Sequence, residues 1–88
     1  PPVIVIQGDH GPTVASNARS RMSILNAYFL PGAKTSVYPT ITPVNTFRII
    51  FNTYFEQDLE LLEDVSWHSD YTDPFNFRVI QNNCQANE

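Results

Sequence analysis

The sequence is short of cysteine, of positive charge and of any long apolar run, and each shortage closes off a class of protein. Cys84 stands alone, so an internal disulfide and a zinc cluster built from cysteines are both excluded. Five cationic residues, Arg19, Arg21, Lys34, Arg48 and Arg78, face nine acidic ones, giving a formal net charge of −4. They are scattered along the chain rather than gathered on one predicted face, which argues against nucleic acid as a partner. No apolar run approaches the roughly 18 residues of a membrane span. The start, "PPVIVIQGDHG", lacks the charged flank and cleavage pattern of a signal peptide.

Charge of either sign is scarce as well. Only 16% of the 88 residues are charged, whereas 42% are hydrophobic, with six Phe, four Tyr and one Trp among them. This is the composition of a globular chain, not a disordered one. A chain of this length makes one domain, residues 1–88, and buries only roughly 60–65% of its unfolded surface. So few charges cover that surface poorly. The expectation is an incomplete unit whose apolar surface meets a missing part of a parent chain or a second copy of itself.

What the sequence does have is concentrated at its start. Val3, Ile4, Val5 and Ile6 form a β-branched run suited to a strand covered on both faces, as in a parallel sheet. Gly8 and Gly11 then allow a sharp exit, which puts Asp9 and His10 just beyond the strand's carboxyl end. Open α/β sheets bind ligands at that edge. A carboxylate beside an imidazole suits zinc, manganese or a similar divalent ion, although two ligands do not close a site that needs about four. Without further ligands the same pair reads as a solvated turn.

Further along, "TVASNARSRMS", 13–23, shows no period and reads as a loop. "ILNAYFLPG" reads as a strand over 24–30 that stops at Pro31-Gly32, with a short helix as its competitor. "AKTSVYPTI" is a loop. The clearest helix spans about 43–56: Thr42 can cap it, Pro43 suits its first position, and Val44, Phe47, Ile50, Phe51, Tyr54 and Phe55 recur at helical spacing. That pattern predicts an apolar face packed on a sheet, with Arg48, Asn52 and Glu56 on the opposite side. Residues 58–73 carry six of the nine acidic residues, but without the glycine and alternation of a calcium-binding EF-hand loop, and read as a solvated acidic loop. His68 lies within it, a surface residue or a further ligand brought back in space. "FNFRVIQ", 75–81, reads as an edge strand, and the tail after it as frayed.

These segments together carry a resemblance. "VIVIQGDHGP" resembles the strand and metal-binding turn of the alkaline phosphatase superfamily, in which an Asp-His-Gly step follows a β-strand. "ILNAYFLPG" and "ITPVNTFRIIFNTYF" are similar to the C-terminal part of bacterial sulfatase-like hydrolases of that superfamily. The resemblance implies an α/β fold, a partial alkaline-phosphatase-like sheet with one main amphipathic helix, incomplete as an isolated chain. It implies that Asp9 and His10 ligate a divalent metal (zinc, manganese or calcium) in a hydrolase of phosphate or sulfate esters, whose membrane-anchored or extracytoplasmic parent would supply the rest.

The departures from that pattern matter equally. Gly8 stands where the family usually has Ser, and the nucleophile belongs to an N-terminal segment not found here. Cys84 is followed by Gln-Ala-Asn, not by the Cys-x-Pro-x-Arg pattern of sulfatases. No catalytic residue is therefore expected in this chain, and no activity from it alone. The alternative is a non-catalytic structural or protein-interaction module with a vestigial Asp-His turn.

Overall fold

A computed structural model describes residues 1–12, 17–33 and 37–81. Six elements follow in order: β1 (Ile4–Gln7), α1 (Ala18–Met22), β2 (Asn26–Phe29), α2 (Pro43–Tyr54), β3 (Ser66–Asp70) and β4 (Asp73–Ile80). The strands form two antiparallel pairs, β1 with β2 and β3 with β4. The α/β class expected from the sequence is present in this small form. The residues read as a frayed tail, with Cys84 among them, lie outside the described residues, as do 13–16 and 34–36 within the expected loops.

The strand expected inside a parallel sheet is instead half of a two-stranded ribbon. Ile4 pairs with Phe29, Val5 with Tyr28, Ile6 with Ala27 and Gln7 with Asn26. Side chains alternate across such a pair. Val5, Gln7, Asn26 and Tyr28 turn inward, while Ile4, Ile6 and Phe29 are exposed on the outer face. A continuous β-branched run fits a strand buried on both faces, but nothing among the described residues covers the outer one.

The α2 helix occupies its predicted span, with Pro43 in the first turn and Thr42 at the cap position. Its orientation corrects the sequence reading. Asn45 and Thr46 are buried, at 0% and 1% exposure, together with Ile49 and Ile50. Phe47, Phe51 and Phe55, expected to pack on a sheet, are 57%, 42% and 61% exposed. Arg48 and Asn52, expected on the solvent side, instead bind the segment that follows the helix.

That segment, residues 57–65, is an irregular strap rather than a free acidic loop. Asn45 Nδ2 donates to the Leu62 carbonyl (2.7 Å), and Asn45 Oδ1 accepts from the Leu62 amide (2.8 Å). One helical period pair later, Asn52 makes the same two bonds to Leu59 (2.9 and 2.7 Å). Arg48 adds a bond to the Glu60 carbonyl at 2.9 Å. Residues seven apart on a helix are about 10.5 Å apart along its axis, which matches three residues of nearly extended chain. The helix thus holds the strap by its backbone, with Asp58, Glu60 and Glu63 left exposed.

Two further elements escaped the sequence reading. β3 lies within the supposed acidic loop and joins β4 through Tyr71-Thr72 with an irregular register between His68 and Asp70. The α1 helix lies within the supposed loop 13–23; Asn17 caps it by accepting from the Ser20 amide at 2.8 Å.

Candidate metal half-site

The Asp9-His10 turn is fixed at both ends. The Gly8 amide donates to the Leu25 carbonyl (2.8 Å), prolonging the β1–β2 ladder by one step, and the Gly11 amide donates to the Arg21 carbonyl at the end of α1. Gly11 is buried against that helix so closely that a Cβ there would lie 1.9 Å from the Ser20 carbonyl oxygen. No residue with a side chain fits without moving backbone. Gly8 has no such constraint: a Cβ there would come no closer than 3.6 Å to any atom outside its chain neighbours.

Between these anchors both side chains face solvent, Asp9 at 90% and His10 at 46% side-chain exposure. His10 Nδ1 lies 2.6 Å from the Gly11 carbonyl oxygen. A carbonyl only accepts, so Nδ1 carries the proton and a neutral ring presents its lone pair at Nε2. Metal-ligating histidines are oriented in this way, the second ring nitrogen donating to a carbonyl or carboxylate. His10 Nε2 is 3.8 Å from Asp9 Oδ2. Two ligands of one tetrahedral ion at 2.0–2.1 Å stand roughly 3.3 Å apart, so a small side-chain rotation would bring this pair to one ion.

The strand end that aims the turn is tied to α2. Gln7 Nε2 donates to Asn26 Oδ1 (3.0 Å) and to Thr46 Oγ1 (2.9 Å), and Tyr28 Oη lies 2.9 Å from the same Thr46 hydroxyl. The Tyr54 hydroxyl donates to the Pro31 carbonyl at 2.8 Å, a second tie between helix and ribbon.

The donor set stops at two. Among the described residues no third His, Cys, Asp or Glu gathers with Asp9 and His10. His68 lies on the β3–β4 hairpin, 3.3 Å from Asp70, whose carboxylate also meets Arg78 at 3.4 Å.

A second polar cluster surrounds the start of α2. Asp64 Oδ1 accepts from the Thr42 amide (2.8 Å), the Thr42 hydroxyl (2.7 Å) and Asn45 Nδ2 (3.1 Å), and the Tyr38 hydroxyl donates to Oδ2. Burial pushes the Asp64 carboxyl up, but the hydrogen bonds from Thr42, Tyr38 and Asn45 outweigh it and hold it below the usual carboxylate range. Burial and the Asp64 carboxylate together raise Tyr38 above its ordinary value. Asp64 thus reaches from the strap to the cap residue of α2, satisfying the Thr42 amide and hydroxyl at the helix's positive end. Every buried side-chain donor and acceptor described has a partner, so this cluster is closed on itself and structural. Sequence periodicity carries no trace of it.

No protein family, curated protein or solved structure matches this chain.

Proposed function

We propose that this chain supplies two ligands, Asp9 Oδ2 and His10 Nε2, to a divalent metal in a phosphate- or sulfate-ester hydrolase whose nucleophile and remaining ligands come from elsewhere. The observation that carries the reading is the anchored imidazole: with Nδ1 held on the Gly11 carbonyl, Nε2 faces the Asp9 carboxylate at 3.8 Å. The resemblance to the alkaline phosphatase superfamily gives the reaction class.

The chain's own residues do three things here. Gly11 lets the turn close against α1, its carbonyl selects the tautomer of His10, and the Gln7–Thr46 bond fixes the strand end against α2. A divalent ion bound there would polarise the ester oxygen and offset charge as it develops. Two ligands hold such an ion only weakly.

The test is titration of zinc and manganese, followed by calorimetry and by the ring resonances of His10, on the wild type and on Asp9→Asn and His10→Ala. Weak binding, lost in both variants and reported at Nε2, is the expected result, with no turnover of aryl phosphate or aryl sulfate esters. Binding undiminished in both variants would remove Asp9 and His10 from the site.

A further inference from the structure

Much of the apolar surface of this chain is uncovered among the described residues. All six phenylalanines and the tryptophan lie on that surface.

The most ordered part of it is the outer face of α2. At 100° per residue, Val44, Phe47, Phe51 and Phe55 fall on one stripe, away from the buried Thr46, Ile49 and Ile50. The Phe47 and Phe51 rings are 6.2 Å apart and those of Phe51 and Phe55 5.8 Å, so the stripe is continuous. On the same wheel Asn45, Arg48 and Asn52 flank the stripe, and they hold the strap alongside it. The strap's exposed carboxylates therefore edge the stripe: Asp58, Glu60 and Glu63, with Glu56 at the helix end. Between residues 43 and 65 Arg48 is the sole cation.

We infer that the outer face of α2 is a docking surface for a partner with an apolar contact area edged by lysine or arginine. The charge pattern selects this occupant. A second copy of the chain would bring the same carboxylates and the same net charge of −4 against them. A cationic edge would pair with the strap while the aromatic stripe fills the partner's apolar floor.

The probes are two labelled amphipathic helical peptides of equal length, one of leucine and lysine, the other of leucine and glutamate. Fluorescence anisotropy reads their binding to the intact chain at about 0.01 M and 0.15 M ionic strength. The lysine peptide should bind at least about tenfold tighter than the glutamate peptide, the gap narrowing with salt. The double substitution Phe47→Ser/Phe51→Ser should weaken its binding about tenfold or more with unchanged circular dichroism, because both rings are exposed. Neutralising the edge by Asp58→Asn/Glu60→Gln/Glu63→Gln should remove the preference between peptides. Equal binding of both peptides, no binding of either, or lysine-peptide binding that survives the double substitution would overturn the proposal. So would a dimer in sedimentation that dissociates when Phe47 and Phe51 are replaced, since a second copy would then be the occupant. None of these outcomes depends on Asp9 or His10.

Discussion

Replacing Asn45 by Ala tests how the strap is held. The Asn45 side chain is fully buried and bonds both the amide and the carbonyl of Leu62, at 2.8 and 2.7 Å. It also reaches Tyr38 Oη at 3.0 Å and Asp64 Oδ1 at 3.1 Å. A net hydrogen bond contributes about 1 kcal/mol, and a buried group left without a partner costs about 1–3 kcal/mol. Losing both Leu62 bonds should therefore cost about 2–3 kcal/mol. A chain of this length has a total stability of only about 4–13 kcal/mol. Urea unfolding measures the loss, and amide exchange locates it: Leu62 should lose protection in Asn45→Ala, while Asn52→Ala should expose Leu59 first. A destabilisation under about 0.5 kcal/mol with Leu62 still protected would refute the view that helix side chains hold the strap by its backbone.

Four other outcomes follow from the structure. Because Asp64 is held below its ordinary pKa, its contribution is present above the unfolded value near 3.9 and fades as pH falls through the folded one; the melting-temperature gap between wild type and Asp64→Asn should close in acid. Tyr38, raised, contributes below about pH 10 and loses its contribution as pH rises through its folded value, an alkaline loss that Tyr38→Phe should abolish. Glu56 has φ 58°, where a side chain costs about 1–2 kcal/mol that Gly avoids at some entropic expense. Glu56→Gly should then raise stability by about 0.5–1 kcal/mol in urea. Gly11→Ala, by contrast, places a methyl against the Ser20 carbonyl and should cost about 1–3 kcal/mol; unchanged stability there would mean that α1 does not pack on the turn.

How much of this was legible in the sequence depends on what each signal encodes. Pro43 and the recurrence of apolar residues placed α2 within two residues at its end, since both describe the helix itself. Strands at 26–29 and 73–80 were legible for the same reason. Periodicity identifies which face is apolar, not whether this chain covers it, and so it points to a packed face where the aromatic stripe is exposed. Asn45 and Asn52 carry no hydrophobic signature, and their bonds go to backbone, which no residue type at 59 or 62 betrays. β3 was missed because Trp67 is the only large apolar residue in Ser66–Asp70, too little for a period of two. At the site, Gly8 and Gly11 located the turn, but the bond from His10 to the Gly11 carbonyl is a matter of ring orientation and left no trace.

The α2 helix also shows why local patterning and packing disagree here. A surface helix normally keeps one polar face in water. This one divides three ways: Thr46, Ile49 and Ile50 are buried, Thr46 against the ribbon, Asn45, Arg48 and Asn52 face the strap, and Val44, Phe47, Phe51 and Phe55 form an exposed apolar side. The Asn side chains have taken the place where polar residues would meet water, and they spend their hydrogen bonds on backbone instead. An apolar stripe of this kind has the pattern of a buried helix face, yet it is open among the described residues. The aromatic stripe would lose about 25 cal/mol for every Å² left in water rather than covered, so a chain that keeps its strap bound and its ribbon attached still gains from a partner laid over Phe47 and Phe51.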